Sequence, residues 1–152
     1  MSHSARVLLN TFTALILITM ATGISAETAD FGEYRVNYNI FSSSFLQPDV
    51  AEKYNLKRSR SIGVINVSVL KEGEDGVYRS VGGQIEGQVF NDLQQSSYLG
   101  FRRVTEGDVV YYLAQFSYSN GELLTFQITA NPQGSDRELP IRVTQTLFDE
   151  RQ

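Results

Sequence analysis

The densest group of side chains with binding chemistry lies near the middle of the chain, where Lys57, Arg58 and Arg60 share one short stretch. The planar guanidinium of arginine binds carboxylates and phosphates through paired hydrogen bonds. This cluster therefore predicts a site for an acidic partner segment. The alternative is a solvated loop whose arginines pair with neighbouring acids, which is the ordinary situation for such a loop.

A second basic pair, Arg102 and Arg103, lies ahead of a run of aromatic residues. Whichever of the two faces outward could stack on Tyr111, and an exposed cation–π contact is worth about 0.5–1 kcal/mol. Tyr98 and Tyr111 either belong to the core, which needs many rings, or contribute to an exposed aromatic binding face. The candidate partner-binding residues are therefore Lys57, Arg58, Arg60, Tyr98, Arg102 and Tyr111.

Catalysis is restricted by the residues that the chain lacks. It has no cysteine, and its single histidine is His3. A domain without His3 has no Ser-His-Asp triad, no Cys-His pair, no histidine general base and no zinc or copper site with nitrogen or sulfur ligands. Carboxylate chemistry and hard-cation binding remain open.

The acidic side chains do not form a recognisable site. Glu72, Glu74 and Asp75 could offer oxygen ligands to calcium, but they lack the ligand spacing of an EF-hand. Two carboxylates about 5–9 Å apart could hydrolyse glycosides, and nothing in the sequence places such a pair in a cleft. We predict no catalytic residue, no cofactor and no metal site.

The N-terminal residues have the order that is typical of a secretory signal peptide. Arg6 precedes an apolar run over residues 7–20, and small residues follow up to Ala26. The run is short for a membrane span, which needs about 20 residues. We predict cleavage after Ala26, with cleavage after Gly23 as the alternative, and a location in the periplasm without stable membrane insertion.

The remaining residues, 27–152, have the length of one domain. The formal charge of the whole chain is −4, and loss of Arg6 makes the mature domain more acidic still. Nucleic-acid binding is not expected, because it needs a basic surface that displaces counterions from phosphates.

The elements that must position these residues are predicted from period-two alternation of apolar side chains. The clearest stretch, residues 109–130, indicates two strands around Asn120 and Gly121. We predict one long hairpin with a three-residue loop, Ser119-Asn120-Gly121, in which Gly121 is left-handed and Phe116 pairs with Leu124. Burial selects this register, because a slip of one residue would turn every side chain over.

Other strands follow the same pattern at residues 34–40, 62–70, 81–90, 98–105 and 139–148. The loop Glu106-Gly107-Asp108 has either two or three residues. One helix is predicted from Pro48 to Leu56, docked where the chain crosses between sheets. About seven closely spaced strands with one short helix predict an all-β, antiparallel, immunoglobulin-like sandwich. A closed barrel is the alternative.

Several short motifs occur in an order and spacing that are fairly specific together, although each is weak alone. They are Phe31-Gly32 with Tyr34, Val36 and Tyr38-Asn39; Phe45-Leu46 with Pro48 and Val50-Ala51; Arg58-Ser59; Asn66-Val67-Ser68-Val69; and Tyr111-Tyr112-Leu113-Ala114. Across the mature chain this resembles the DUF4426 family of secreted proteobacterial proteins, a domain of unknown function. The resemblance implies an envelope location and a sandwich domain, and it implies no activity and no catalytic residue.

Together these features predict a non-enzymatic module that binds an envelope protein or peptide, either at an open strand edge or at the basic loop. A small-ligand or glycan-binding sandwich is the alternative. A carboxylate-dependent hydrolase is the least favoured, because it requires an acid of raised pKa in a cleft.

Overall fold

The computed structural model describes residues 26–149, so the predicted signal peptide lies outside the described residues except for Ala26. In chain order the strands are β1 (Glu27–Phe31), β2 (Tyr34–Ser42), β3 (Ile62–Glu72), β4 (Tyr78–Val81), β5 (Gly83–Phe90), β6 (Ser96–Tyr98), β7 (Arg102–Glu106), β8 (Val109–Ser117), β9 (Glu122–Pro132) and β10 (Leu139–Leu147). A 3-10 turn (Ser43–Phe45) and helix α1 (Pro48–Lys53) lie between β2 and β3.

The strands form two antiparallel sheets. Sheet A has the order β1-β2-β3-β8-β7, and β4 also pairs with β3, while sheet B has the order β10-β9-β5-β6. Strands β2, β3, β8 and β7 correspond to A, B, E and D of an immunoglobulin domain, and β5, β6, β9 and β10 correspond to C, C′, F and G. The predicted immunoglobulin-like sandwich is confirmed, with ten strands in the described residues in place of about seven.

The long hairpin predicted over residues 109–130 is wrong. Strand β8 pairs with β3 and β7 in sheet A, whereas β9 pairs with β5 and β10 in sheet B. Both sides of β8 are therefore occupied, and residues 118–121 carry the chain from one sheet to the other. Gly121 has a positive φ of 77°, as predicted. The expected pairing of Phe116 with Leu124 does not form, since the two residues lie on facing sheets.

Two further stretches that were predicted as single strands are each divided between the sheets. The chain leaves sheet A after β4 and enters sheet B at β5, with Gly82 between them. Residues 98–105 are likewise split into β6 in sheet B and β7 in sheet A. Strand β1 was not predicted. The loop between β7 and β8 has two residues, because Glu106 pairs with Val109.

The core lies between the sheets and is formed by the alternating apolar residues of both. The rings of Phe116 and Phe126 meet edge to face across it, with their centroids 5.0 Å apart. Such aromatic pairs contribute about 0.5–1.5 kcal/mol beyond their buried area. The ring of Phe116 also covers Gly63, its partner on β3, where an added Cβ would lie 2.2 Å from Phe116 Cζ.

Tyrosine hydroxyl groups make hydrogen bonds at two of the places where the chain crosses between the sheets. Tyr118 lies in the segment that crosses between β8 and β9, and its hydroxyl lies 2.8 Å from Ser42 Oγ at the end of β2. The hydroxyl of Tyr112 accepts a hydrogen bond from Gly83 N and donates one to Gly83 O, both at 2.8 Å. These contacts fix the crossings of the chain at residues 118–121 and at Gly82.

Helix α1 lies where the sequence predicts a helix, but it ends at Lys53 rather than at Leu56. Pro48 occupies its first turn, Asp49 lies near its positive end and Lys53 near its negative end, as helix propensities favour. It does not mark a crossing between sheets, because the flanking strands β2 and β3 are neighbours in sheet A. The helix covers part of the outer face of that sheet instead.

Candidate functional site

Two of the predicted site residues, Arg102 and Tyr111, line hollows on the outer face of sheet A. Residues 46–56, which we call the lid, include helix α1 and lie over this face. Beneath the lid, four strands contribute side chains from the positions that alternate with the core positions and point away from the core. They are Phe41, Val64, Asn66, Val104, Tyr111 and Leu113. The lid contributes Leu46, Val50, Tyr54 and Leu56. The result is a second, smaller apolar cluster.

A cluster of polar contacts fixes the C-terminal end of the lid to strand β7. The hydroxyl of Tyr54 donates to Glu106 Oε1 at 2.5 Å, and Lys53 Nζ lies 3.0 Å from the same oxygen. Arg102 Nη2 donates to the carbonyl oxygen of Tyr54. The Tyr54 hydrogen bond, and then Lys53, lower the pKa of the Glu106 carboxyl. Burial, and then the same hydrogen bond, raise the pKa of Tyr54.

The basic loop that follows the lid, residues 57–60, is held by two pairs of hydrogen bonds. The Gln115 side chain accepts from Lys57 N at 3.0 Å and donates to Lys57 O at 2.9 Å. Ser43 Oγ accepts from Ser59 N at 2.8 Å and donates to Ser59 O at 3.0 Å. The backbone of the loop therefore has a defined conformation, while the side chains of Lys57, Arg58 and Arg60 are exposed.

An open hollow of about 330 Å³ lies beside the basic loop. It is lined by Asn55, Leu56, Gly100, Arg102, Leu113, Ala114 and Gln115. Arg102 thus lies in the wall of a hollow that adjoins the basic loop, since Gln115 lines the hollow and also bonds to the backbone of Lys57. The hollow itself was not predicted, because it depends on Gln115 and Gly100, whose types carry no functional signal.

Of the two alternatives given for Tyr111, the structure shows the buried one. Tyr111 lies beneath the lid with 8% of its surface exposed, and burial raises the pKa of its hydroxyl. Arg103 points to the opposite face of β7, since its partner in the sheet is Tyr112. Tyr111 is therefore a packing residue of the second cluster and is not accessible to a partner in this state.

Tyr98 lies on a different surface, the outer face of sheet B, where 85% of its area is exposed. The strand registers place Arg142, Gln127, Gln88 and Tyr98 in one row across all four strands. Adjacent strands are about 4.8 Å apart, so the row spans about 14 Å. An open hollow of about 770 Å³ lies over it. The row was missed because only the strand register aligns these outward positions.

The acidic loop forms the turn of the β3–β4 hairpin, as predicted. The Arg79 guanidinium contacts both carboxylate oxygens of Asp75, at 2.6 and 3.0 Å, and holds the pKa of that carboxyl far below its usual value. Within residues 26–149, no group of three or more His, Cys, Asp or Glu side chains is placed to hold a metal ion. In the same range, no helix is long and apolar enough to span a membrane.

Comparison with known proteins gives the family. The model of DUF4426, a domain of unknown function, matches residues 28–150. The chain belongs to the DUF4426 family. A crystal structure of a DUF4426 family protein (PA0388) from Pseudomonas aeruginosa PAO1 is 34% identical, with a TM-score of 0.70, and the match covers 83% of this chain and 97% of that one.

A second solved structure shares the fold alone. FetP of uropathogenic E. coli strain F11, expressed recombinantly in the periplasm of E. coli BL21(DE3), is 10% identical with a TM-score of 0.59. The match covers 82% of this chain and 95% of FetP. No curated protein matches the sequence significantly.

Proposed function

We propose that this DUF4426 protein is a non-enzymatic binding module of the bacterial periplasm that holds an acidic segment of another envelope protein. The observation that carries the proposal is the hollow of about 330 Å³ with Arg102 in its wall and the basic loop beside it. The envelope location rests on the signal-peptide pattern and on the family resemblance.

The charge distribution supports an acidic partner. The chain as a whole has a formal charge of −4, so the basic loop with Lys57, Arg58 and Arg60 is a local exception. A guanidinium has five N–H donors, and the single bond from Arg102 to Tyr54 O leaves others for a ligand carboxylate. Electrostatic complementarity of this kind steers association and fixes the orientation of the partner.

The fixed backbone of the basic loop supports binding as well. Ordering a loop on association costs free energy, and here Gln115 and Ser43 already hold Lys57 and Ser59. The side chains of Lys57 and Arg58 remain to be ordered by the ligand. A preorganised loop with exposed cations is the arrangement that a carboxylate-binding site needs.

The carboxyl groups with shifted pKa values support a binding role over acid catalysis. A general acid at neutral pH needs a raised pKa. The pKa values of Asp75 and Glu106 are lowered instead, by Arg79 and by Tyr54 with Lys53 respectively. Shifts in this direction belong to ion pairs and hydrogen bonds that stabilise structure.

The test is photo-crosslinking in the envelope of living cells, with a photoreactive amino acid in place of Lys57. We expect one reproducible protein partner, whose capture falls at least tenfold when Arg58→Ala and Arg60→Ala are combined. Arg142→Ala is the matched control, because it removes an arginine from the opposite sheet and should leave capture intact. Unchanged capture by the double variant, with circular dichroism unchanged, would overturn the proposal.

A second candidate function is glycan binding at the outer face of sheet B. It is favoured by the row of Arg142, Gln127, Gln88 and Tyr98, which offers amide and guanidinium groups to hydroxyls and a flat ring to the apolar face of a sugar. Calorimetric titration with soluble envelope polysaccharide tests it. Binding should be lost in Tyr98→Ala and retained in the Arg58→Ala, Arg60→Ala variant, and no heat with the wild type would exclude it.

A further inference from the structure

One buried polar atom stands out beneath the lid. Asn66 Oδ1 is fully buried and has no hydrogen-bond partner among the residues that the structure describes. It lies on the outer face of β3, in the middle of the second apolar cluster. A buried carbonyl oxygen that loses its hydrogen bonds to water without replacement is destabilising, so native structures rarely keep one without a reason.

A cavity of about 30 Å³ lies beside this oxygen. One water molecule needs about 10–15 Å³, so the space exceeds the requirement of a single water. Buried waters normally make about three hydrogen bonds. Here the walls are apolar apart from Asn66 and two tyrosines, and the hydroxyl of Tyr54 already donates to Glu106. The lining therefore suits an apolar group with a single donor better than it suits water.

The lid provides a route into this cavity. Its helix has six residues, which is too short to be stable without tertiary contacts. Tyr54 and Lys53 hold its C-terminal end through their polar contacts with Glu106. Leu56 and Leu113 line both the cavity and the open hollow beside the basic loop. An outward movement of these two side chains and of Tyr54 would join the two spaces.

We propose that a small apolar molecule with one O–H or N–H donor binds beneath the lid. The donor of the ligand bonds to Asn66 Oδ1, and its apolar body packs between Val50, Tyr54 and Leu113. Binding replaces the missing hydrogen bond and enlarges the cavity by shifting the lid. This site is separate from the acidic-segment site, although both share the walls formed by Leu56 and Leu113.

Phenol and benzene are the probes, because they share a ring and only phenol has a donor. Titrations followed by the methyl signals of Val64 and Leu113 in nuclear magnetic resonance report both affinities. In the wild type we expect phenol to bind at least tenfold more tightly than benzene. In Asn66→Val the two affinities should become equal, because the acceptor is absent while the apolar walls remain.

A second variant keeps the test decisive. Leu113→Phe fills the cavity and leaves Asn66 in place, so phenol binding should be lost without a change in the acceptor. Equal affinities for the two probes in the wild type, or no methyl shift with phenol, would overturn the proposal and leave water as the occupant. The Arg58→Ala, Arg60→Ala variant should bind phenol normally. The proposal for the site beneath the lid can therefore fail or succeed independently of the proposal for the acidic-segment site.

Discussion

Replacement of Tyr112 by phenylalanine isolates one contact between the two sheets. The hydroxyl of Tyr112, on β8 of sheet A, makes two hydrogen bonds with the backbone of Gly83, at the start of β5 in sheet B. The ring is 95% buried in the core and would keep its packing after the substitution. Tyr112→Phe therefore removes the two bonds and little else.

The expected loss of stability follows from these two hydrogen bonds. Each contributes about 0.5–1.5 kcal/mol net, and a buried group left unpaired costs about 1–3 kcal/mol. Gly83 is half-buried, so water can reach its N–H and C=O in part. We therefore expect a decrease of about 2 kcal/mol in the free energy of unfolding, near the sum of the two net contributions.

Urea unfolding followed by circular dichroism measures this loss, with the slope of the transition compared between variants. Tyr111→Phe is the matched control, since Tyr111 neighbours Tyr112 on β8 and lies under the lid, whereas the hydroxyl that bonds to Gly83 belongs to Tyr112. The control should change the free energy of unfolding by less than about 0.5 kcal/mol. If both variants unfolded at the same urea concentration, the two bonds to Gly83 would not stabilise the fold as argued.

Three further substitutions test other contacts. Gly63→Ala should lower the free energy of unfolding by about 1–3 kcal/mol, because the added Cβ meets the ring of Phe116. Phe116→Leu should destabilise the Gly63→Ala variant less than it destabilises the wild type. If the effects of the two substitutions on the free energy of unfolding simply added, the contact would be contradicted. Gly121→Ala should cost about 1–2 kcal/mol, since φ is 77° there, while Gly100→Ala, with no atom within 4 Å, should be nearly neutral. Glu106→Gln should reduce stability more at pH 6 than at pH 3. The folded pKa of Glu106 is lowered, so the contribution of its carboxylate is fully present above the ordinary carboxyl pKa and decreases as pH falls through the folded value. A difference that persists unchanged to pH 3 in urea unfolding would contradict this.

The alternation of apolar residues predicted which side chains enter the core, but not which strands are neighbours. Val110, Ala114, Phe126 and Ile128 are buried as the pattern requires. The same alternation arises whether β8 and β9 pair in one sheet or face each other across the core. Period-two patterns report the face of a strand and carry no information about its partner. The hairpin was therefore predicted from adjacency in the chain, and the occupied edges of β8 exclude it.

The sequence indicated only part of the candidate site, because sequence patterns do not show which elements become neighbours in the fold. Charge clustering singled out Arg58 and Arg60, and the structure places Arg102 in the hollow that adjoins their loop. The sequence left the exposure of Tyr111 open, because an outward position on a strand is exposed only when nothing covers that face. The lid covers it, and a helix of six residues gives no sequence signal of where it docks. In the sequence Asn66 is one polar residue of a strand. Its buried oxygen and the adjoining cavity are visible only in the structure.

The strand order of the sandwich has a consequence for the speed of folding. The central pairings join distant parts of the chain, since Ile62 lies opposite Ser117 in sheet A and Gly83 lies opposite Pro132 in sheet B. The chain loses conformational entropy when such distant residues are brought together, before their contacts stabilise the fold. Sandwich domains of this kind therefore fold in milliseconds to seconds, far more slowly than helical bundles. Until β8 and β9 reach opposite sheets, their apolar faces remain exposed to other chains, and the folding protein is most prone to aggregate during that interval.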